Sequence, residues 1–269
     1  MNHRIVLSTT GTVLYIEAAM MLIPLLIAMG FKEHKQALAF LAAILIAAGV
    51  GFLLRRVAPP QRQDIFSKEG FGIVAMAGRA LSLVGALPFT IDALFETVSG
   101  FTTTGATLLQ DVEALSYSMQ FWRCFTHWIG GMGILVFVTI ISAKAPDRTM
   151  HILRAEMPGP TMDKIVPKAR DGVKILYLIY IVLTLLEFAA FLLAGMPIYD
   201  AIIHAMSTAG TGGFGMLNSS MAGYAPVYQW IVAFFMVLFA INFNLFFLII
   251  MGQWRPALRS HELICFLSI

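Results

Sequence analysis

Residues Pro88 to Thr107 read PFTIDALFETVSGFTTTGAT, and residues Pro197 to Phe214 read PIYDAIIHAMSTAGTGGF. Each segment opens on a proline and a short amphipathic stretch, Pro88 to Gly100 and Pro197 to Thr208. Each ends in a run of threonine and glycine, Thr102 to Ala106 and Ala209 to Gly213. The stretches are too short to cross a bilayer and too apolar to sit in water as linkers. Apolar segments of that length read as re-entrant or interfacial helices. Each also lies between two longer apolar segments. The unit of span, short helix, Thr/Gly run and span occurs over about 70–143 and again over about 174–252. Aligning Gly105 with Gly212 relates the two copies by an offset of 107 residues. Repeated units around an axis are a recognised way of building transport proteins.

The rest of the 269-residue chain agrees. It is 59% hydrophobic and only 12% charged, with a mean hydropathy of +0.81. A soluble domain carries about 25% charged residues. A helix crossing the bilayer core needs about 20 apolar residues, and six stretches qualify, near 11–31, 36–54, 70–87, 120–143, 174–194 and 228–252. The apolar stretch from Val13 to Phe31 runs longer than a signal-peptide core and has no clear cleavage site, so it reads as the first span. The predicted fold class is an all-α membrane protein. Two leading transmembrane helices (1–69) precede a first pore repeat (70–143), a cytoplasmic linker (144–173), a second pore repeat (174–254) and the start of a further element (255–269). This topology puts Cys124 and Cys265 near opposite faces of the bilayer, so no disulfide between them is expected, and no Cys/His cluster points to a metal site.

Charge sets the orientation. Fourteen of the 18 lysines and arginines fall on one side: Arg4; Arg55, Arg56, Arg62 and Lys68; Lys144, Arg148, Arg154, Lys164, Lys168, Arg170 and Lys174; Arg255 and Arg259. That side is assigned to the cytoplasm, with the N-terminus. Residues 88–118 hold no Lys or Arg but do hold Asp92, Glu96, Asp111 and Glu113, and residues 195–226 hold Asp200. Topogenic bias accounts for the missing bases but says little about four acids in one loop. Such a loop presents an attractive field to an arriving cation.

Irregular backbone at membrane depth is tolerated only inside protein or around a watery cavity. In selectivity filters, successive carbonyls of such a segment replace the hydration shell of an ion. Glycine reaches the required φ at low cost, and threonine is small and adds a hydroxyl oxygen. Neutral oxygen ligands suit a large monovalent cation, whereas a divalent site wants converging carboxylates. Taken singly, either run is as well explained by helix packing, where small residues are common. Two runs in the same setting favour a filter.

The residues also carry a family resemblance. Phe95 to Thr107 (FETVSGFTTTGAT) resembles the first pore loop of the TrkH/KtrB-type bacterial potassium transporters, and Phe121-Trp-Arg with Trp128 to Gly133 resembles the helix that follows it. Arg154 to Thr161 resembles the cytoplasmic linker of that family, and His204 to Phe214 its second pore loop. Ile241 to Asn244 and Arg259 to Leu263 resemble what comes next. The match covers essentially the whole chain. It implies a potassium-channel-like potassium uptake protein of the bacterial inner (plasma) membrane. Gly105 and Gly212 would be filter glycines, with Thr102, Thr103 and Thr104, and Ala209, Gly210 and Thr211, supplying neighbouring carbonyls. The second run departs mildly, since Ala209-Gly210 stands where Ile-Ser is common. The implied partners are K⁺ as cargo, a cytoplasmic nucleotide-binding regulatory subunit on the basic linker, a second copy in a homodimer and the lipid bilayer, with no cofactor and no nucleic acid. The family has four repeats around one pore, and two are present here. The expectation is a truncated product, because 261–269 resembles the beginning of a third repeat. The alternative is two chains joined by a two-fold axis to complete four quarters.

Other polar residues have two readings each. Arg123 pairs with one of the loop acids, or else repels anions. Arg79 pairs with a buried acid or carbonyl, because intramembrane charges face protein. Glu17 and Glu187 are hydrogen-bonded acids or proton-relay groups. His127 and His204 are packed side chains or ligands. Gly130, Gly131 and Gly133 read as close helix packing, and Asn242 and Asn244 as bridges between helices. An intramembrane enzyme is disfavoured: there is no H-E-x-x-H motif, and no Asp pair or Ser/His pair stands in matching spans. A non-conducting fragment is the remaining alternative to a transporter subunit. The driving force stays open between membrane potential, a proton gradient and a Na⁺ gradient.

Overall fold

The structure is a computed structural model that describes residues 2–59, 67–89, 93–131, 133 and 169–268. The fourth span beyond Gly131 (Gly133 apart) and the linker up to residue 168 lie outside the described residues.

The described residues are helical, with no strand among them. The first span is α1 (His3–Met20) and α2 (Leu22–Gly30) end to end, and the second is α3 (His34–Val57). Both are long and apolar enough to cross a membrane. The two cross where glycine meets glycine: a Cβ on Gly11 would stand 2.8 Å from the Gly51 carbonyl oxygen. Small residues at such a crossing let backbones approach where lipid supplies no hydrophobic drive for helices to associate.

The first repeat follows as α4 (Ser67–Gly85), the short α5 (Ala93–Phe101), a loop, and α6 (Tyr117–Gly131). The second is α7 (Ala169–Leu193), the short α8 (Ile198–Ala209), a loop, and α9 (Pro226–Ala240). α1 packs on α3 and α4, α5 on α4 and α6, and α8 on α6, α7 and α9. α6 thus lies between the two short helices, and ten of its residues from Ser118 to His127 are buried in succession. Its N-terminus is capped from outside the repeat. Glu33, in the turn between α2 and α3, accepts hydrogen bonds from the amides of Tyr117 (2.8 Å) and Ser118 (3.1 Å). A carboxylate there satisfies orphan donors and complements the positive end of the helix.

Two expectations need correction. The sixth span is not one straight helix over 228–252. α9 ends at Ala240, α10 (Phe243–Ile250) leaves at 82°, and two short helices, α11 (Trp254–Leu258) and α12 (His261–Ser268), follow. Asn242 stands at the break, where its side chain accepts from the Asn244 amide and starts a new helix. Arg79 is not enclosed within its chain; its side chain is exposed on α4.

Candidate functional site

The site is built where α5 and α8 end. Each short helix finishes in a tight turn: the Thr103 amide donates to the Gly100 carbonyl (2.9 Å), and the Thr211 amide donates to the Thr208 carbonyl (2.7 Å). The chain then alternates. Thr103 (φ 56°) and Gly105 (φ 74°) are left-handed in the first loop, and Thr211 (φ 54°) and Gly213 (φ 78°) in the second. A β-branched residue at positive φ is a genuine outlier, and such strain, of order 1–3 kcal/mol each, gathers at functional sites.

These matched angles correct the repeat register. Phe101 ends α5 and Ala209 ends α8, and Thr103 matches Thr211, so the offset is 108 residues and not 107. Gly213 is therefore the conformational counterpart of Gly105. The Gly212-Gly213 pair offered the sequence two glycines for one position, and only backbone angles separate them.

The loops meet backbone to backbone. A Cβ on Gly105 would stand 1.9 Å from the Gly212 carbonyl oxygen and 3.1 Å from its Cα. Behind Gly212 stands His127 of α6, whose Nε2 would be 1.7 Å from a Cβ there. The same imidazole lies edge-on to Phe214 at 4.2 Å. α6 touches both helix ends through small residues. A Cβ on Gly130 would meet the Phe101 carbonyl oxygen at 2.4 Å, and one on Gly131 would meet Gly210 Cα at 3.0 Å. Those glycines are close-packing residues, as their spacing indicates.

The predicted site residues fall as follows. Thr102, Thr103, Thr104 and Gly105 form the first loop. Ala209 is the last residue of α8, Gly210 caps it, and Thr211 and Gly212 continue the second loop. The Thr102 hydroxyl donates to the Val98 carbonyl (2.7 Å) and lies 2.8 Å from the Thr104 hydroxyl. It is turned back on α5, so the part Thr102 can offer a ligand is its carbonyl.

The outer limb of the first loop is tied to α5. The Ser99 hydroxyl donates to the Ala106 carbonyl (2.6 Å). Glu96 Oε1 accepts from the Thr107 hydroxyl (2.6 Å) and the Leu108 amide (2.8 Å). Glu96 Oε2 accepts from Arg123 Nε at 2.8 Å, and the two side chains are 1% and 2% exposed. Of the two readings of Arg123, the ion pair is the one observed.

Farther out, Asn218 joins the two loops. Its Oδ1 accepts from the Val112 amide (2.8 Å), its Nδ2 donates to Asp111 (2.9 Å), and its own amide donates to Glu113 (2.9 Å). The Asn218 amide group, helped by the amides of Glu113 and Ala114, holds the Asp111 carboxyl below its usual range. No sequence signal marked Asn218. His204 is packed between the rings of Tyr224 and Phe191 at 4.8 and 6.2 Å. Glu17 is buried without a hydrogen-bond partner among the described residues. No group of three or more His, Cys, Asp or Glu side chains that could hold a metal occurs among the described residues.

Residues 33–260 match the family model described as TrkH, cation transport protein. The chain belongs to the TrkH family. It is 34% identical over 271 residues to the Trk system potassium uptake protein TrkH of Salmonella typhimurium, covering 95% of this chain and 56% of the relative. It is 31% identical over 282 residues to TrkG of Escherichia coli, covering 99% and 57%. Its fold matches the crystal structure of the potassium transporter TrkH from Vibrio parahaemolyticus with a TM-score of 0.77 and 30% identity, over 92% of this chain and 52% of the other. The chain thus spans about half the length of the curated relatives it matches. Membership and fold together make it an all-helical membrane protein.

Proposed function

We propose that this chain supplies two quarters of a potassium uptake path. Backbone carbonyls of Thr102, Thr103, Thr104 and Gly105, and of Ala209, Gly210, Thr211 and Gly212, with Gly213 added, form those quarters of its filter. The carrying observation is the pair of loops with matched left-handed positions, meeting at Gly105 and Gly212 beyond the ends of two short helices. Alternating φ turns successive carbonyls toward one line, where they can replace the water shell of a large monovalent cation. The negative ends of the α5 and α8 dipoles face the loops and favour a cation there. The relatives named as potassium uptake proteins support K⁺ as the cargo.

In this reading the domain plan is two leading helices (1–69), repeat one (70–143), a cytoplasmic linker (144–173), repeat two (174–254) and the element beginning at 255. The protein sits in the bacterial inner membrane with its N-terminus cytoplasmic. Leu94, Phe95 and Val98 on the outer face of α5 are 45%, 40% and 39% exposed in the isolated chain. They are the side chains that a neighbouring quarter would cover, whether from a longer chain or from a second copy. A homodimer, with a nucleotide-binding regulatory subunit on the basic cytoplasmic linker, completes the proposed assembly.

The test is rubidium or potassium uptake in cells lacking their own K⁺ transport. K⁺-selective uptake that is lost in Gly105→Asp, with membrane insertion unchanged, is expected. Unchanged K⁺ over Na⁺ preference in Gly105→Asp and Gly212→Asp overturns the filter.

A further inference from the structure

The Arg123 side chain touches both repeats at once. Its Nε donates to Glu96, whose other oxygen holds Thr107 and Leu108 at the outer end of the first loop. Its Nη1 donates to the Gly215 carbonyl (3.1 Å), just beyond Gly213 at the outer end of the second loop. Its guanidinium carbon lies 3.7 Å from the centroid of the Phe214 ring, and Phe214 in turn packs on His127 behind Gly212.

We infer that Arg123 is a positioning residue that locks the outer rims of the two filter loops together through Glu96. The lock sets how sharply the path separates K⁺ from Na⁺. The inference rests on the filter reading above. A guanidinium is planar, permanently charged and presents its donors in a rigid fork. Fixing one donor on Glu96 and another on Gly215 therefore fixes the separation of the two rims. Burial strengthens both contacts, and it makes the loss of either partner costly because the other is left as an uncompensated charge. A cation-repelling or anion-repelling role would need the charge exposed to the ion's route, but it is spent on Glu96, a carbonyl and a ring face. Lysine keeps the charge but has no fork to span both rims. Glutamine at 96 keeps an acceptor for one rim but removes the charge that orients the guanidinium.

The measurement is Na⁺ competition against rubidium uptake by the full-length protein in its native membrane, with the membrane amount of each variant quantified. Arg123→Lys and Glu96→Gln are expected to lose K⁺ over Na⁺ preference about tenfold per molecule present in the membrane, the scale of one lost charge-assisted hydrogen bond. A purely structural role would lower amount and maximal rate together and leave the preference as it was. That result overturns the inference. Should neither single variant accumulate, Glu96→Gln/Arg123→Met removes both buried charges together and takes the same measurement; an unaltered preference in it overturns the inference too. Absence of K⁺ preference in the unaltered protein overturns the filter reading itself, and the lock with it.

Discussion

The Gly105 Cα carries no side chain because the Gly212 carbonyl oxygen occupies the space, 1.9 Å from where a Cβ would be. The neighbour is backbone, and it belongs to the other loop, so it cannot swing aside without moving that loop. Gly213 is different: it shares the left-handed angle (78°), but a Cβ on it would meet nothing within 4 Å. Gly105→Ala is therefore expected to abolish selective uptake, and Gly213→Ala to retain it with a stability loss of about 1–2 kcal/mol from φ alone. Thermal unfolding in detergent and rubidium uptake separate the two. Equal damage from both would contradict this account of the glycines.

Gly212 is constrained from the other side. All three atoms nearest to a Cβ there belong to the His127 ring, the closest being Nε2 at 1.7 Å. The obstacle is one side chain, so it can be removed. Gly212→Ala alone is expected to lose uptake. Adding His127→Ala should restore part of it, because the truncated ring leaves room for the methyl group. Ring removal also leaves a cavity, worth about 2–4 kcal/mol for a large side chain, so His127→Ala alone should lower thermal stability. If the double variant is no better than Gly212→Ala, the ring is not what excludes a side chain.

Much of this arrangement is legible in the sequence, and its limits have physical causes. Length and polarity betray α5 and α8, because 9 and 12 residues cannot cross a bilayer. The Arg123 ion pair follows from the cost of burying a lone charge. The register of the second loop does not follow, since Gly212 and Gly213 are the same residue type and differ only in φ and in what surrounds them. The bend after Ala240 is hidden because hydropathy averages over Asn242. The Asn218 contacts reach Asp111 and Val112 more than 100 residues away, a proximity that only the completed fold creates.

Asn218 makes the outer junction sensitive to acid. Its amide is the largest cause holding the Asp111 carboxyl below its ordinary range. A depressed folded value means that the contact contributes its full stabilisation above the ordinary carboxylate range, about pH 3.9. The contribution is lost as pH falls through the lowered folded value. Protection of the Val112 and Asn218 amides, taken relative to intrinsic exchange at each pH, should accordingly be full at neutral pH and fall only in strong acid. Asn218→Ala should speed exchange at Val112 at every pH, since that amide loses its acceptor at 2.8 Å. Protection at Val112 that survives Asn218→Ala would show that the junction is held otherwise.

Asn242 governs the end of the second repeat. α9 has 15 residues, about 22 Å at 1.5 Å per residue, short of a hydrocarbon core of about 30 Å. The chain turns by 82° before completing a straight crossing. Asn242 Oδ1 accepts from the Asn244 amide (3.0 Å), and its Nδ2 donates to both carboxylate oxygens of Glu262 at 3.1 Å. It therefore starts α10 and anchors α12 at once. Asn242→Ala removes the cap, typically about 1 kcal/mol, together with the tie to Glu262. An alanine also favours continuing the helix through the break. Spin labels on cysteines replacing Trp230 and Met251, both exposed, should then move apart as α9 and α10 straighten. Glu262→Gln keeps the cap but weakens the tie, so it should leave the label distance near that of the unaltered protein. An unchanged distance in Asn242→Ala would assign the bend to packing of α10 against α7 instead.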